Sequence, residues 1–328
     1  GDATRDRSRA TGAAGVGPGL VSARSRILPV ALVVAAGLAG FAWMAWLGLR
    51  RAEGLANQAF DQAYFQQLVW SVGSGRGFHS SFNPGDFLGL HFSPLLVVPA
   101  ALEAVWPDAR VLTLLQAAAL GASVPAAFLL LRAMIGRTRR AALLAAALAA
   151  PMPIWPIMQQ QVRADFHTEA LALPLVLLAG WAGLTRRSVL MFCAAGLALM
   201  AKEDQVYPVA VIGLLVAAHA PGRLLSGPRR SGLILVGAAV AWGIAVFGLV
   251  KPFFRAGVSY DTDPYYAWLG GGLGILRMAV ERTGELVNAL TRPAGWIVAL
   301  WLLGGLGALA LLRPRWLALV VPSVVVHL

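Results

Sequence analysis

Apolar residues run along this chain in long blocks rather than in alternation. The blocks fall at 27–49, 111–131, 141–158, 170–185, 188–201, 206–219, 232–250 and 294–312, and another begins near 316. Short polar punctuation separates them. A hydrocarbon core needs about 20 apolar residues of helix to cross it, and only helices or closed barrels satisfy their backbone groups there. The pattern therefore predicts an all-α, polytopic transmembrane helical bundle with about eight to nine spans. Several blocks are short for an upright span; local thinning, flanking residues or partial re-entry would accommodate them. Ala and Gly are frequent inside the blocks, which favours close helix–helix approach.

Two stretches between blocks have structure of their own. In FDQAYFQQLVW, Phe60, Tyr64 and Leu68 recur at four-residue spacing with Phe65 and Val69 beside them. That stripe predicts an amphipathic helix lying in the membrane interface. The stretch HFSPLLVVPAALEAVW, 91–106, predicts a second interfacial or re-entrant helix. The segment 251–292 holds an aromatic-acidic turn, SYDTDPYYAW, then an amphipathic helix around 273–290. Residues 1–26, rich in Arg, Gly, Ala and Ser, read as a disordered basic tail, and 27–49 as a retained signal anchor. The chain breaks off in SVVVHL within an apolar run, so the domain at 27–328 reads as truncated at its C-terminus.

Composition agrees with the pattern. The chain is 58% hydrophobic and 13% charged with mean hydropathy +0.70, against roughly 25% charged for a soluble domain. The net charge of +12 does not indicate nucleic acid, because the basic residues punctuate short loops. Placing the tail in the cytoplasm and crossing at every block puts Arg132, Arg137, Arg139, Arg140, Arg186, Arg187, Arg229 and Arg230 inside, as positive-inside orientation requires. Arg50 and Arg51 depart from it. All acidic residues except Asp2 and Asp6 then lie outside, with Lys202 and Lys251. A multi-pass protein of the cell membrane follows, its polar chemistry extracytoplasmic. The single cysteine, Cys193, lies mid-block and reads as an inert buried thiol.

Candidate chemistry gathers in four outer places: Asp61; the run Arg163, Asp165, His167, Glu169; the triplet Lys202, Glu203, Asp204; and Asp261 with Asp263. Ionisable groups near bilayer depth are costly and mark sites more often than not. A capped helix start also accounts for the acids of the second group, with Thr168 or Asp165 as cap and Glu169 on the dipole, but leaves His167 unexplained. The triplet separates two apolar blocks without Gly, Asn or Pro, so it reads as embedded rather than as a hairpin tip. Tyr260, Tyr265 and Trp268 suit either sugar stacking or an interfacial aromatic belt.

In order, FDQAYFQQLVW, HFSPLL, DFHTEALALPL and KEDQ resemble a prokaryotic membrane-protein family, domain of unknown function 2079, over about residues 57–270. That family is grouped with the GT-C glycosyltransferases. The resemblance implies an enzyme that moves a sugar from a polyprenyl-phosphate donor to an acceptor on the extracytoplasmic face, with membrane lipid as its other partner. It implies Asp61 as catalytic base, with Arg163, His167 and Lys202 holding the donor phosphate. Asp165, Glu169, Glu203 and Asp204 would orient those cations or take a divalent ion, Mg or Mn. His91, Tyr260, Tyr265 and Trp268 would contact sugar or acceptor. Relatives often carry two adjacent acids in the first loop; here Gln62 follows Asp61, which argues against a metal there. The rival is a secondary transporter or lipid flippase with Asp, His, Glu and Lys as an ion relay, although these groups gather at one face rather than at the midplane.

Overall fold

The computed structural model describes residues 18–57, 59–219, 227–258, 281 and 283–291. Helices α1 to α7 span Pro18–Glu53, Ala59–Gly73, Phe87–Leu90, Val97–Val105, Arg110–Ile135, Arg139–Ala149 and Pro156–Arg163. Helices α8 to α13 span Glu169–Leu184, Ser188–Leu199, Val206–His219, Gly227–Ala245, Lys251–Arg255 and Thr283–Thr291. A π-helical turn, Val246–Val250, joins α11 to α12. The fold is all-α, as the blocks predict. Helix α1 begins at Pro18, within the stretch expected to be tail. Tyr260, Asp261, Asp263, Tyr265, Trp268 and the blocks from 294 onward lie outside the described residues.

Among the described residues, four helical stretches are long and apolar enough to cross a membrane: Ile27–Glu53, Arg110–Ile135, Arg139–Arg163 and Arg229–Arg255. The apolar blocks at α8, α9 and α10 form helices of only 16, 12 and 14 residues. The third long stretch is broken between α6 and α7, where Pro151, Pro153 and Pro156 remove backbone donors.

Lipid is as apolar as leucine, so close packing rather than exclusion from water must join these helices. Helix α5 sits between α1 and α8, and α10 packs along α11. Small residues make the contacts: Ala141, Ala142, Ala145, Ala146 and Ala149 are the buried stripe of α6. Gly213 and Gly232 bring α10 and α11 so close that a Cβ on Gly232 would stand 2.6 Å from the Gly213 carbonyl oxygen. On α9, Met191, Ala194, Ala195 and Ala198 face inward. Cys193 is on the opposite face and exposed, which corrects its expected burial.

The stripe of α2 is also corrected. Tyr64, Phe65, Leu68 and Val69 are buried in the core, not laid against lipid. Phe65 meets Phe87 and Phe166 edge-on at 5.8 and 5.3 Å, and such specific aromatic partners outcompete lipid contact. Helix α4 instead exposes Val97, Val98, Leu102 and Val105, and its C-cap Trp106 is exposed beside them. At nine residues, or about 14 Å, it is too short to cross.

Contacts join the C-terminal ends of α1, α7 and α9 and the start of α12 to the N-terminal ends of α5, α8 and α10. Hydrogen bonds tie this end together. Arg51 donates to the Arg163 carbonyl at 2.9 Å, and the Leu95 amide to the Met200 carbonyl at 2.9 Å.

Candidate functional site

The candidate residues of the second and third outer segments all stand at this end of the bundle. Their four carboxylates are divided among three settings.

Asp165 is 5% exposed, with a carboxylate oxygen 3.8 Å from the Arg51 guanidinium. Its backbone is left-handed at φ 64°, a conformation that Asp tolerates better than most side chains. Gln116, from α5, is buried there at 4% exposure. Its amide nitrogen donates to the carbonyls of Asp165 at 2.7 Å and Gln161 at 3.0 Å. Its amide oxygen accepts from the His167 backbone N–H at 2.7 Å. This is how the α7–α8 turn is held. Thr168 occupies the N-cap position of α8 without a capping hydrogen bond, so the capped helix start expected from sequence is replaced by one amide from another helix. Asn57, Gln62, Gln116 and Asp165 border a cavity of about 10 Å³, room for about one water.

Glu203 is the hub of the second setting, 6% exposed. One carboxylate oxygen accepts from Lys251 Nζ at 2.6 Å and lies 3.0 Å from His91 Nδ1; the other accepts the Phe92 amide at 2.8 Å. Burial would raise its pKa, but His91 and Lys251 outweigh burial and hold it well below the usual range. His91, expected to meet sugar or acceptor, is thus engaged with Glu203.

The third setting is a cavity of about 410 Å³ bordered by Gln161, His167, Glu169, Asp204, Gln205 and Tyr207. Lys202 Nζ is hydrogen-bonded to Glu169 and lies 3.9 Å from Asp204. Burial would pull the Lys202 ammonium down, yet the Glu169 and Asp204 carboxylates more than compensate and raise it. Asp204 moves up, through burial and then the facing Glu169, against Lys202. One Asp204 oxygen accepts from Gln205 at 2.8 Å. The ring atom His167 Nδ1 is buried without a hydrogen-bond partner.

Two expected residues stand apart. Arg163 ends α7 with its side chain exposed, between the cavity residues Gln161 and Ala164. Asp61, half-buried in the first turn of α2, borders neither cavity. Among the described residues, no three His, Cys, Asp or Glu side chains gather as a metal set. The Glu169 and Asp204 carboxylates have Lys202 between them instead.

Sequence reasoning passed over Gln116, Arg51 and Lys251. A lone glutamine in VLTLLQAAAL was the available signal for the first. The anomaly of Arg50-Arg51 against positive-inside orientation was the signal for the second: Arg51 is fastened to Arg163 and Asp165, not free in a loop.

A membrane-embedded helix bundle with a buried ionic cluster at one end is the class of protein these features define. Within that class, the chain belongs to the family described as predicted membrane protein (DUF2079), matched over residues 51–328. No curated protein and no solved structure matches it.

Proposed function

We propose that this protein is an integral membrane glycosyltransferase of the GT-C kind, moving a sugar from a polyprenyl-phosphate donor to an acceptor hydroxyl outside the cell membrane. The observation that carries the reading is the 410 Å³ cavity with Glu169, Asp204, His167 and Tyr207 on its walls, at the end where hydrophilic loops meet apolar helices. A lipid-borne substrate would present its polar head at such a boundary. The alternating helices support seven crossings by α1, α5, α6–α7, α8, α9, α10 and α11–α12. Blocks beyond 294 bring the count to eight or nine, with the N-terminus cytoplasmic.

The acceptor oxygen bonds to the anomeric carbon as the bond from that carbon to the phosphate oxygen breaks. The lipid phosphate leaves with the electron pair. By the family resemblance Asp61 takes the acceptor proton as general base; because it lines neither cavity, the acceptor hydroxyl would meet it outside the cavity mouth. Arg163, exposed beside the cavity, meets the phosphate charge; Lys202, expected there with it, is engaged by Glu169 and Asp204, and His167 lines the cavity. The test is transfer from radiolabelled polyprenyl-phosphate sugar by the purified chain. Asp61→Asn should lower the rate at least ~100-fold, and full activity in that variant removes the assigned base.

One observation favours the transporter instead: membrane-length helices interrupted at 150–155 and at the π turn Val246–Val250, as ion-coupled carriers have. Proton-coupled uptake into proteoliposomes that His167→Ala abolishes, with no sugar transfer, would replace the enzyme by a carrier.

A further inference from the structure

We infer that the 410 Å³ cavity is the subsite for a neutral, hydroxyl-rich ring, the donor's sugar, and that the phosphate lies outside it. The inference rests on the proposed function for the identity of the lipid donor and goes beyond it in dividing that donor between two places. Asp204 and Glu169 border the cavity, whereas Lys202, which joins them, does not. With His167 on the wall neutral, two carboxylates against one ammonium leave this group one charge negative, and a phosphate would be repelled. Drawing Lys202 away to meet it would strand Glu169, a side chain only 27% exposed, without its counter-charge, a costly change.

Hydrogen-bond chemistry points the same way. An ionised carboxylate only accepts, and an ionised phosphate has no proton to give it. Sugar hydroxyls do. One oxygen of Asp204 already accepts from Gln205; the other has Lys202 only at 3.9 Å, beyond hydrogen-bond distance. Gln161, Gln205 and Tyr207 add groups that both donate and accept, which suits a ring carrying several hydroxyls. Few well-placed polar groups around a cavity of this size are what small-ligand sites use. Arg163, exposed next to Gln161 and Ala164, is placed for the phosphate.

The experiment measures binding of three probes to the full chain in nanodiscs: undecaprenyl phosphate, and the same lipid phosphate bearing glucose or mannose. At least one sugar-bearing lipid should bind about tenfold more tightly than the bare lipid, the effect of one hydrogen bond to a charged group. Asp204→Asn should remove that advantage and leave bare-lipid affinity within about twofold, and Asp204→Glu should restore part of it. Arg163→Gln should weaken all three lipids alike. Equal affinity for bare and sugar-bearing lipids, or equal losses for both in Asp204→Asn, overturns the subsite. Preferential binding without any transfer leaves the subsite standing and removes the glycosyltransferase reading; binding of none of the three removes both.

Discussion

Glu203 shows how much one side chain can organise. Its two oxygens take three donors from two distant parts of the chain, His91 and Phe92 before α4 and Lys251 at α12. Removing the charge while keeping the shape, Glu203→Gln, leaves the partly buried Lys251 without its counter-charge, at a cost of about 1–3 kcal/mol, below that of a fully buried pair. Because the folded-state pKa of Glu203 lies below its ordinary 4.5, its contribution is complete above pH 4.5 and is lost as pH falls below it. The gap in thermal stability between wild type and Glu203→Gln, followed by tryptophan fluorescence in detergent, should be widest at pH 7 and shrink below pH 4.5. A gap independent of pH would mean that the ion pairs contribute nothing. The triplet's embedding was legible at this scale, from the missing turn residues. That Glu203 turns away from its neighbours, toward His91 and Lys251, while Asp204 lines the cavity and Lys202 joins it to Glu169, was not. Adjacent letters do not say which way each side chain points.

At the scale of elements, the long helices were readable because a bilayer imposes length and polarity on any segment crossing it. Their faces were less so. The α2 stripe has the period of an interfacial helix, yet Phe87 and Phe166 offered it aromatic partners inside the bundle, and periodicity alone cannot separate the two outcomes. Small residues decide how closely helices pass. Gly232→Val should separate α10 from α11, because its Cβ would fall 2.6 Å from backbone atoms of Gly213 and Ala217. The expected result is a loss of several degrees in melting temperature or of monodisperse protein. Gly237 lies on the same helix with open space around it, so Gly237→Ala should be neutral or stabilising by up to about 1 kcal/mol. If both variants behave alike, close approach is not what joins these helices.

For the whole molecule, the alternation of helix ends carries a topological expectation. With Cys193 replaced by Ser, a single cysteine at Arg163 should react with a membrane-impermeant maleimide from outside intact cells, and one at Arg187 only after the membrane is opened. Both side chains are exposed, at opposite ends of α7–α8 and α8–α9. Labelling of Arg163→Cys from the cytoplasm alone would put the cavity on the wrong face for an extracytoplasmic donor. Sequence patterning assigns the polar chemistry to one side, since charges avoid hydrocarbon and arginines favour the cytoplasmic side, and this labelling is what tests that assignment. The structure brings the side chains of the second and third outer segments close together, with Lys202 hydrogen-bonded to Glu169.

The ordered motifs pointed to the family, and hydrophobic blocks and charged punctuation by themselves determined the class of fold and the positions of the long helices. These follow from transfer energies that act residue by residue. Only tertiary structure decided the pairing: Asp165 with Arg51 and Gln116, Glu203 with His91 and Lys251, and Glu169 and Asp204 with Lys202 at a cavity that Asp61 does not border. The physical reason is that partners in a buried ionic cluster are selected by how helices rotate and how deeply they pack. Those quantities belong to the assembled bundle rather than to any segment of it.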